Sequence, residues 1–391
     1  VMSTTPHTAR TPSAIVAIPV RNEVERIEAC LRAIAAQVGL TPGSLGLVLF
    51  LNNCTDGTDA LVARLVPTLS IPVRIVSEDY SGAHAGWARR RAMDAAAAWL
   101  GEAGNAGMIL STDADSRVPP NWVICNRAAI EAGADAVAGR VELDANEAAL
   151  LPPSLPARGR LEDIYDALIT EAEARIDPDP HDPWPCHRTA IGATLAVTRT
   201  AYLQVGGMPE IPLGEDGAFI ARLIQHGLRV RHATDVCVTI SARLTGRAPG
   251  GVADTIRSRC EEPDALCDAR METFPRAVRR YLWRRRFRRL HGRGSLRVNQ
   301  AWARALGIAP AEATRIAALP LGQAIAEAER VSPRLVYHPI GPRQLPGQIR
   351  LARVGVAAIR LLQGGAGLAR SVMGAAATPA HPVASPPGRR N

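Results

Sequence analysis

Two aspartates one residue apart, Asp113 and Asp115 in Ser111-Thr112-Asp113-Ala114-Asp115, follow directly on an apolar run. Such a pair at a strand end can share a hard divalent cation. Mg²⁺ takes one or two carboxylates and fills its remaining positions with water and substrate phosphates. A cation held there would act as a Lewis acid on a departing diphosphate. The same two acids could instead cap the helix expected from Pro119 and Pro120, residues that suit a first helical turn. A second acidic pair, Glu215-Asp216, opens a helical pattern carried by Phe219, Leu223 and Ile224. A carboxylate there could take a proton from a hydroxyl, or it could be an N-terminal acid favoured by the helix dipole.

These acids need elements to position them. The first half of the chain alternates short apolar runs with helical patterns, the signature of a parallel, doubly wound α/β sheet. Strands are expected at 14–20, 45–51, 73–77, 107–112, 135–143, 191–198 and 236–240, and helices from about Asp59, at 85–100, at 158–176 and at 216–226. Asn22 is a candidate N-cap with Glu25 at the capping-box position, ahead of a stripe of Ile27, Leu31 and Ile34. In such sheets ligands bind beyond the carboxyl ends of the strands. Polar residues crowd three of those ends: Arg21-Asn22-Glu23, Asn52 to Asp56, and the Asp113 pair.

The order Ile18-Pro19-Val20-Arg21-Asn22-Glu23, Asn52-Asn53-Cys54-Thr55-Asp56-Gly57-Thr58, Asp113-Ala114-Asp115, Gly192-Ala193 and Glu215-Asp216 resembles family 2 glycosyltransferases over about residues 15–247. The resemblance implies a GT-A fold and a hexosyltransferase-like, inverting transfer from a nucleotide diphosphate sugar to an acceptor hydroxyl. By the same resemblance Pro19, Asn22, Glu23, Asn52 and Asp56 line the nucleotide pocket and Asp113 contacts the donor's ribose or sugar. Asp115 coordinates Mg²⁺ or Mn²⁺, and Asp216, beside Glu215, is the base. Asn52 and Asn53 stand where the family often has an acidic pair, which leaves the nucleobase open. Ala88-Arg89-Arg90 replaces the common Ala-Arg-Asn, with Arg89 the candidate for the donor phosphates.

Two loops could complete such a site. In His181-Asp182-Pro183-Trp184-Pro185-Cys186-His187 an indole can stack on a sugar while His181, Asp182 and His187 bond its hydroxyls. A proline-stiffened structural loop is the alternative. Ser241-Ala242-Arg243 and the glycine-rich 246–251 segment could close over a diphosphate.

The chain carries 46 basic and 37 acidic residues, a net charge of +9, and all the basic residues are arginine. Seven scattered cysteines without a C-x-x-C pair argue against a disulfide framework or zinc site and for a reducing, cytoplasmic setting. The polar Met2–Pro12 stretch predicts no signal peptide, and no run predicts a membrane span. The reading divides the chain into a catalytic domain (1–249), an arginine-rich helical region (250–374) and a disordered tail (375–391). Arg350, Arg353 and Arg360 are expected on one side of a helix, with Val354, Ile359 and Leu362 on the other. That helix could lie on the inner face of an anionic membrane or pack on the catalytic domain with its arginines solvated. Two rivals stay open. One is a sugar nucleotidyltransferase, although its glycine-rich triphosphate loop is missing; the other is a scaffold binding membrane or nucleic acid, although no nucleic-acid motif accompanies the charge.

Overall fold

The computed structural model describes residues 3–4, 12–102, 104, 107–246, 250–298 and 300–375. Its centre is an eight-stranded sheet of β1 (Ser3–Thr4), β2 (Ala14–Val20), β3 (Leu45–Leu51), β4 (Val73–Ser77), β5 (Met108–Ser111), β6 (Ala136–Leu143), β7 (Leu195–Thr198) and β8 (Val230–Ile240). The spatial order is β1-β4-β3-β2-β5-β7-β6-β8. The strands β2 to β5 are parallel, β7 runs against both β5 and β6, and β6 and β8 are parallel. The carboxyl ends of β2, β3 and β5 therefore open on one edge.

Alternation along the strands divides the core between two helical layers. Val16, Ile18, Leu47 and Leu49 face α1 (Ile27–Ala35), α2 (Thr58–Leu65) and α4 (Trp122–Glu131), burying Ile27, Leu31, Ile34, Val62 and Trp122. Ile15, Ala17, Val48 and Phe50 face α3 (Ala85–Glu102), α7 (Arg199–Gln204) and α8 (Glu215–Gln225), burying Trp87, Met93, Leu100, Tyr202 and Phe219. Strands covered on both faces read as near-continuous apolar runs. The expected bounds of β2 and β3 accordingly coincide with the structure, as do those of the partly buried β4.

Several boundaries differ. Asn22 does not cap α1, which begins at Ile27; it adopts a left-handed φ of 53° and its Oδ1 accepts the Thr55 N–H at 2.8 Å. Pro119 and Pro120 precede α4 rather than open it. A short 3-10 turn, Gly192–Thr194, replaces the first half of the strand expected at 191–198. The last strand starts six residues early, at Val230, because it pairs with β6 along both halves of a bulge between Ala138 and Arg140.

Beyond a short α5 (Ala145–Ala148), the long α6 (Ser154–Ile176) begins a second, all-helical layer. That layer comprises α9 (Val252–Glu261), α10 (Phe274–Gly292), α11 (Ser295–Val298), α12 (Ala301–Leu306), α13 (Pro310–Ala318), α14 (Leu321–Val331) and α15 (Leu345–Ala375). Tyr165 and Ile169 of α6 pack with Phe274 and Tyr281 of α10 and Leu345, Ile349, Ala352 and Val356 of α15. Of the three residues expected on the side opposite the arginines, Ile359 is partly buried against this cluster, and Val354 and Leu362 are exposed. Gly322 lets α14 close on α8, since a Cβ there would stand 2.5 Å from the Ile224 carbonyl oxygen. The expected tail from 375 has Ala375 as the last helical residue, and 376–391 lie outside the described residues.

Candidate active site

Arg89, on the buried face of α3, is the hub of the strand-end crevice. It donates to Asp113 Oδ1 (2.7 Å), Glu215 Oε1 (3.2 Å), Ser111 Oγ (2.9 Å) and the Gly192 carbonyl oxygen (3.0 Å). Those four bonds turn the guanidinium inward, so Arg89 orients Asp113 and is not an open phosphate ligand, contrary to the sequence expectation. The paired carboxylates hold its pKa above the ordinary arginine value against the opposing cost of burial. Glu215 is likewise buried as Arg89's partner and does not face the crevice as a second base. Gly192 is required by contact. A Cβ at this position would fall 2.4 Å from Arg89 Cζ, and no side chain fits there.

The neighbouring Asp216 is half-buried at the first turn of α8. Its Oδ2 accepts the Gly192 N–H at 2.9 Å and its Oδ1 the Gly217 N–H at 2.7 Å. Gly192 thus ties both acidic pairs together, its carbonyl holding Arg89 and its amide aiming Asp216. Ala193, by contrast, is a core residue and reaches no ligand space.

On the other flank, Asp115 Oδ2 lies 3.0 Å from Arg243, whose guanidinium also grips Glu23 bidentately at 2.6 and 3.0 Å. Burial, reinforced by Asp113, pushes the Asp115 carboxyl up to about 6, with Arg243 opposing the shift. Arg243 follows β8 on a loop anchored by Glu147, which accepts Ser241 Oγ and the Ala242 N–H, both at 2.7 Å, and pairs with Arg26. Of the glycine-rich 246–251 segment expected to close the site, Arg247 to Pro249 lie outside the described residues.

The polar residues after β2 and β3 chiefly tie loops together. Asp56 accepts the Val24 N–H (3.2 Å), the Thr58 N–H (3.0 Å) and Thr58 Oγ1 (2.6 Å), and Glu23 N–H donates to Thr58 Oγ1. Asn52 is buried, and Pro19, near the carboxyl end of β2, is partly exposed. Asn53, at φ 51°, receives the Tyr80 N–H and donates its own to Asp79 Oδ1 at 2.8 Å. Tyr80 is 49% exposed and rests against Trp87, ring centroids 5.3 Å apart. Asp79 and Tyr80 were missed in the sequence, though their place just after β4 was the available signal.

The tryptophan loop is not brought to this crevice. Asp182 is buried at the outer edge of the sheet, accepting the His232 N–H (3.0 Å) and sharing a 2.8 Å bond with His232 Nδ1, and it pairs with Arg188 and Arg231. His187 is buried too: its Nδ1 accepts the Thr189 N–H, so Nε2 donates to the Ala233 carbonyl oxygen at 3.3 Å. These bonds fix the loop on Arg231 to Ala233, in the amino-terminal half of β8, whereas the acids gather at the carboxyl ends of the strands. His181 and Trp184 stand exposed on it, remote from Asp115.

A metal is testable against this donor set. Among the described residues no three His, Cys, Asp or Glu side chains form a closed cage. Asp113 and Asp115 each give one oxygen to an arginine and keep the other, and the adjacent Ser116 hydroxyl is buried without a partner. This fits a hard cation completed by substrate phosphates and water.

The sheet is thus mostly parallel, with β7 antiparallel between β5 and β6 and carboxylates at the strand ends. Residues 15–175 match the model of glycosyl transferase family 2. No protein of curated function matches the sequence. Similar solved structures include the mannosyltransferase PcManGT from Pyrobaculum calidifontis in complex with GDP-Man and Mn²⁺ (19% identity, TM-score 0.44, 92% of this chain and 81% of that one). TarS of S. aureus in complex with UDP-GlcNAc is another (14%, 0.45, 89% and 91%), as is glucosyl-3-phosphoglycerate synthase from Mycobacterium tuberculosis (17%, 0.36, 64% and 81%).

Proposed function

We propose that the chain transfers a sugar from a nucleoside diphosphate donor to an acceptor hydroxyl by a single inverting displacement. The observation that carries this reading is the convergence of Asp113 and Asp216 through Arg89 and Gly192, with Asp115, two positions after Asp113, held by Arg243. Three acids with separate anchors suit three tasks.

Asp216, held by two backbone amides, takes the proton of the acceptor hydroxyl. The acceptor oxygen then attacks the anomeric carbon while the bond to the diphosphate oxygen breaks and its electron pair leaves with the diphosphate. One base suffices, and the sugar's configuration inverts. Asp113, oriented by Arg89, bonds hydroxyls of the donor. Asp115, with Asp113, would hold Mg²⁺ or Mn²⁺, which when bound supplies positive charge to the leaving diphosphate. Arg243 is released from Asp115 as the donor enters and meets the phosphates, for which its fork geometry is suited. Tyr80 offers a ring face for the nucleobase, with Asp79 and Asn53 beside it to bond its edge.

Calorimetric titration with UDP, GDP and dTDP, with and without Mn²⁺, tests the reading. Metal-dependent binding of one nucleotide, lost in Asp115→Ala, supports it; no binding of any nucleotide under any condition overturns it.

A further inference from the structure

The positive charge of this chain is not spread evenly. Nine of the 46 arginines and none of the 37 acids lie after Glu329, so residues 1–329 balance to zero and the whole surplus of +9 resides in the last 62 residues. Within that stretch α15 has no acid along its full length. One face of the helix is buried through Leu345, Ile349, Ala352 and Val356. The opposite face is also apolar and is uncovered among the described residues: Val354, Leu361 and Leu362 are 70%, 77% and 76% exposed, with Leu351 beside them. Arg350 and Arg353 border this face, exposed and without an ion pair among the described residues.

A second arginine row adjoins it. Arg285, Arg286, Arg289 and Arg293 are exposed along α10. The two helices meet at the end of α6, where Arg288 of α10 bonds Asp177, Arg360 of α15 bonds Glu171 and Gln363 donates to the Arg175 carbonyl. Leu361 and Leu362 therefore project at the same end of the helical layer as the Arg285–Arg289 turn.

We propose that this face docks on an anionic lipid surface. Lipid answers both halves of the patch, since leucines enter the acyl boundary while arginines meet the headgroups. A second copy of the chain would set arginine against arginine. The chain's own residues 376–391 add Arg389 and Arg390 and no acid. Nucleic acid would satisfy the arginines and leave four exposed aliphatic side chains unburied. The proposal is independent of the glycosyl transfer reading.

The full chain is to be floated with phosphatidylcholine vesicles and with vesicles containing phosphatidylglycerol, at low and physiological salt. Binding is expected only to the anionic vesicles. Leu361→Ser with Leu362→Ser should reduce it at least about tenfold, and Arg285→Gln or Arg289→Gln about fivefold each, with melting temperature and nucleotide binding unchanged. Three results would each overturn the proposal. They are failure to bind anionic vesicles, unchanged binding by the double leucine variant, and a solution dimer that the leucine variant disperses.

Discussion

Arg89 shows how a single side chain can unite a site without entering it. It is buried against two carboxylates, and removing one member of such a network leaves the others charged and uncompensated. Arg89→Met is expected to lower stability by about 3–5 kcal/mol, measured by denaturant unfolding. Arg91→Met, two residues along on the exposed face and paired with Glu78, should cost at most about 1 kcal/mol. Equal effects would mean that burial does not set the arginine's worth. Arg243 lends itself to a different experiment, because it occupies a carboxylate that the proposed cation needs. Arg243→Met should tighten binding of Mn²⁺ alone about fivefold, a ~1 kcal/mol gain, read from the electron paramagnetic signal of free Mn²⁺. An unchanged affinity would show that this pair does not hold the acid back. Asp216→Asn should cut turnover by at least about a hundredfold while nucleotide affinity stays near wild type; a parallel loss of affinity would remove it from the role of base.

At the scale of elements, the loop 181–188 is best probed by pH. Burial, with His232 next to it, pulls the His187 imidazole down to about 4 from an ordinary value near 6.5. The unfolded chain then binds a proton that the folded one refuses between those values, so stability falls as pH drops from 6.5 towards 4. The loss attributable to this ring is up to about 3 kcal/mol, and His187→Gln should flatten that part of a melting-temperature profile; an unaltered slope would assign the pH dependence elsewhere. This loop also marks the limit of what sequence reveals. The residue types of His181, Asp182 and Trp184 suit sugar binding, but only the fold shows that their loop is tied to the amino-terminal half of β8, away from the strands' carboxyl ends. The bounds of β2, β3 and β4 were legible to the residue as short apolar runs, whereas β8 was not, because arginine, histidine and aspartate interrupt its first half. The turn at Asn22 was not, because its cap-like side chain bonds a loop 33 residues away rather than its own helix. The places of the acidic pairs, after β5 and at the start of α8, were legible in the sequence. That Glu215 and Arg89 would neutralise each other in the interior was hidden, since nothing local links α3 to α8.

At the scale of the molecule, the helical layer supports the sheet domain rather than trailing from it. The long α6, which lies between β6 and β7 in the chain, buries Tyr165 and Ile169 against α10 and α15, and α14 closes on α8 through Gly322. Ending the chain at Gly374 removes none of these contacts, and its melting temperature and turnover should match those of the full chain. Ending it at Gln344 removes Leu345, Ile349 and Val356 and uncovers Tyr165, Ile169 and Phe274. Each lost large apolar side chain is worth about 1.5–3 kcal/mol, so the three together approach the whole stability of an ordinary domain, about 5–15 kcal/mol. The shorter chain is expected to be insoluble, or to melt more than about 10 °C lower. α10, which loses the cover of α15, is tied to α14 through Arg284 and Glu329, and α14 rests on α8, the helix that carries Asp216, so any soluble fraction should also lose turnover. A Gln344-terminated protein with the full chain's melting temperature and activity would show instead that α15 is an appendage, and that the sheet domain orders its acids alone.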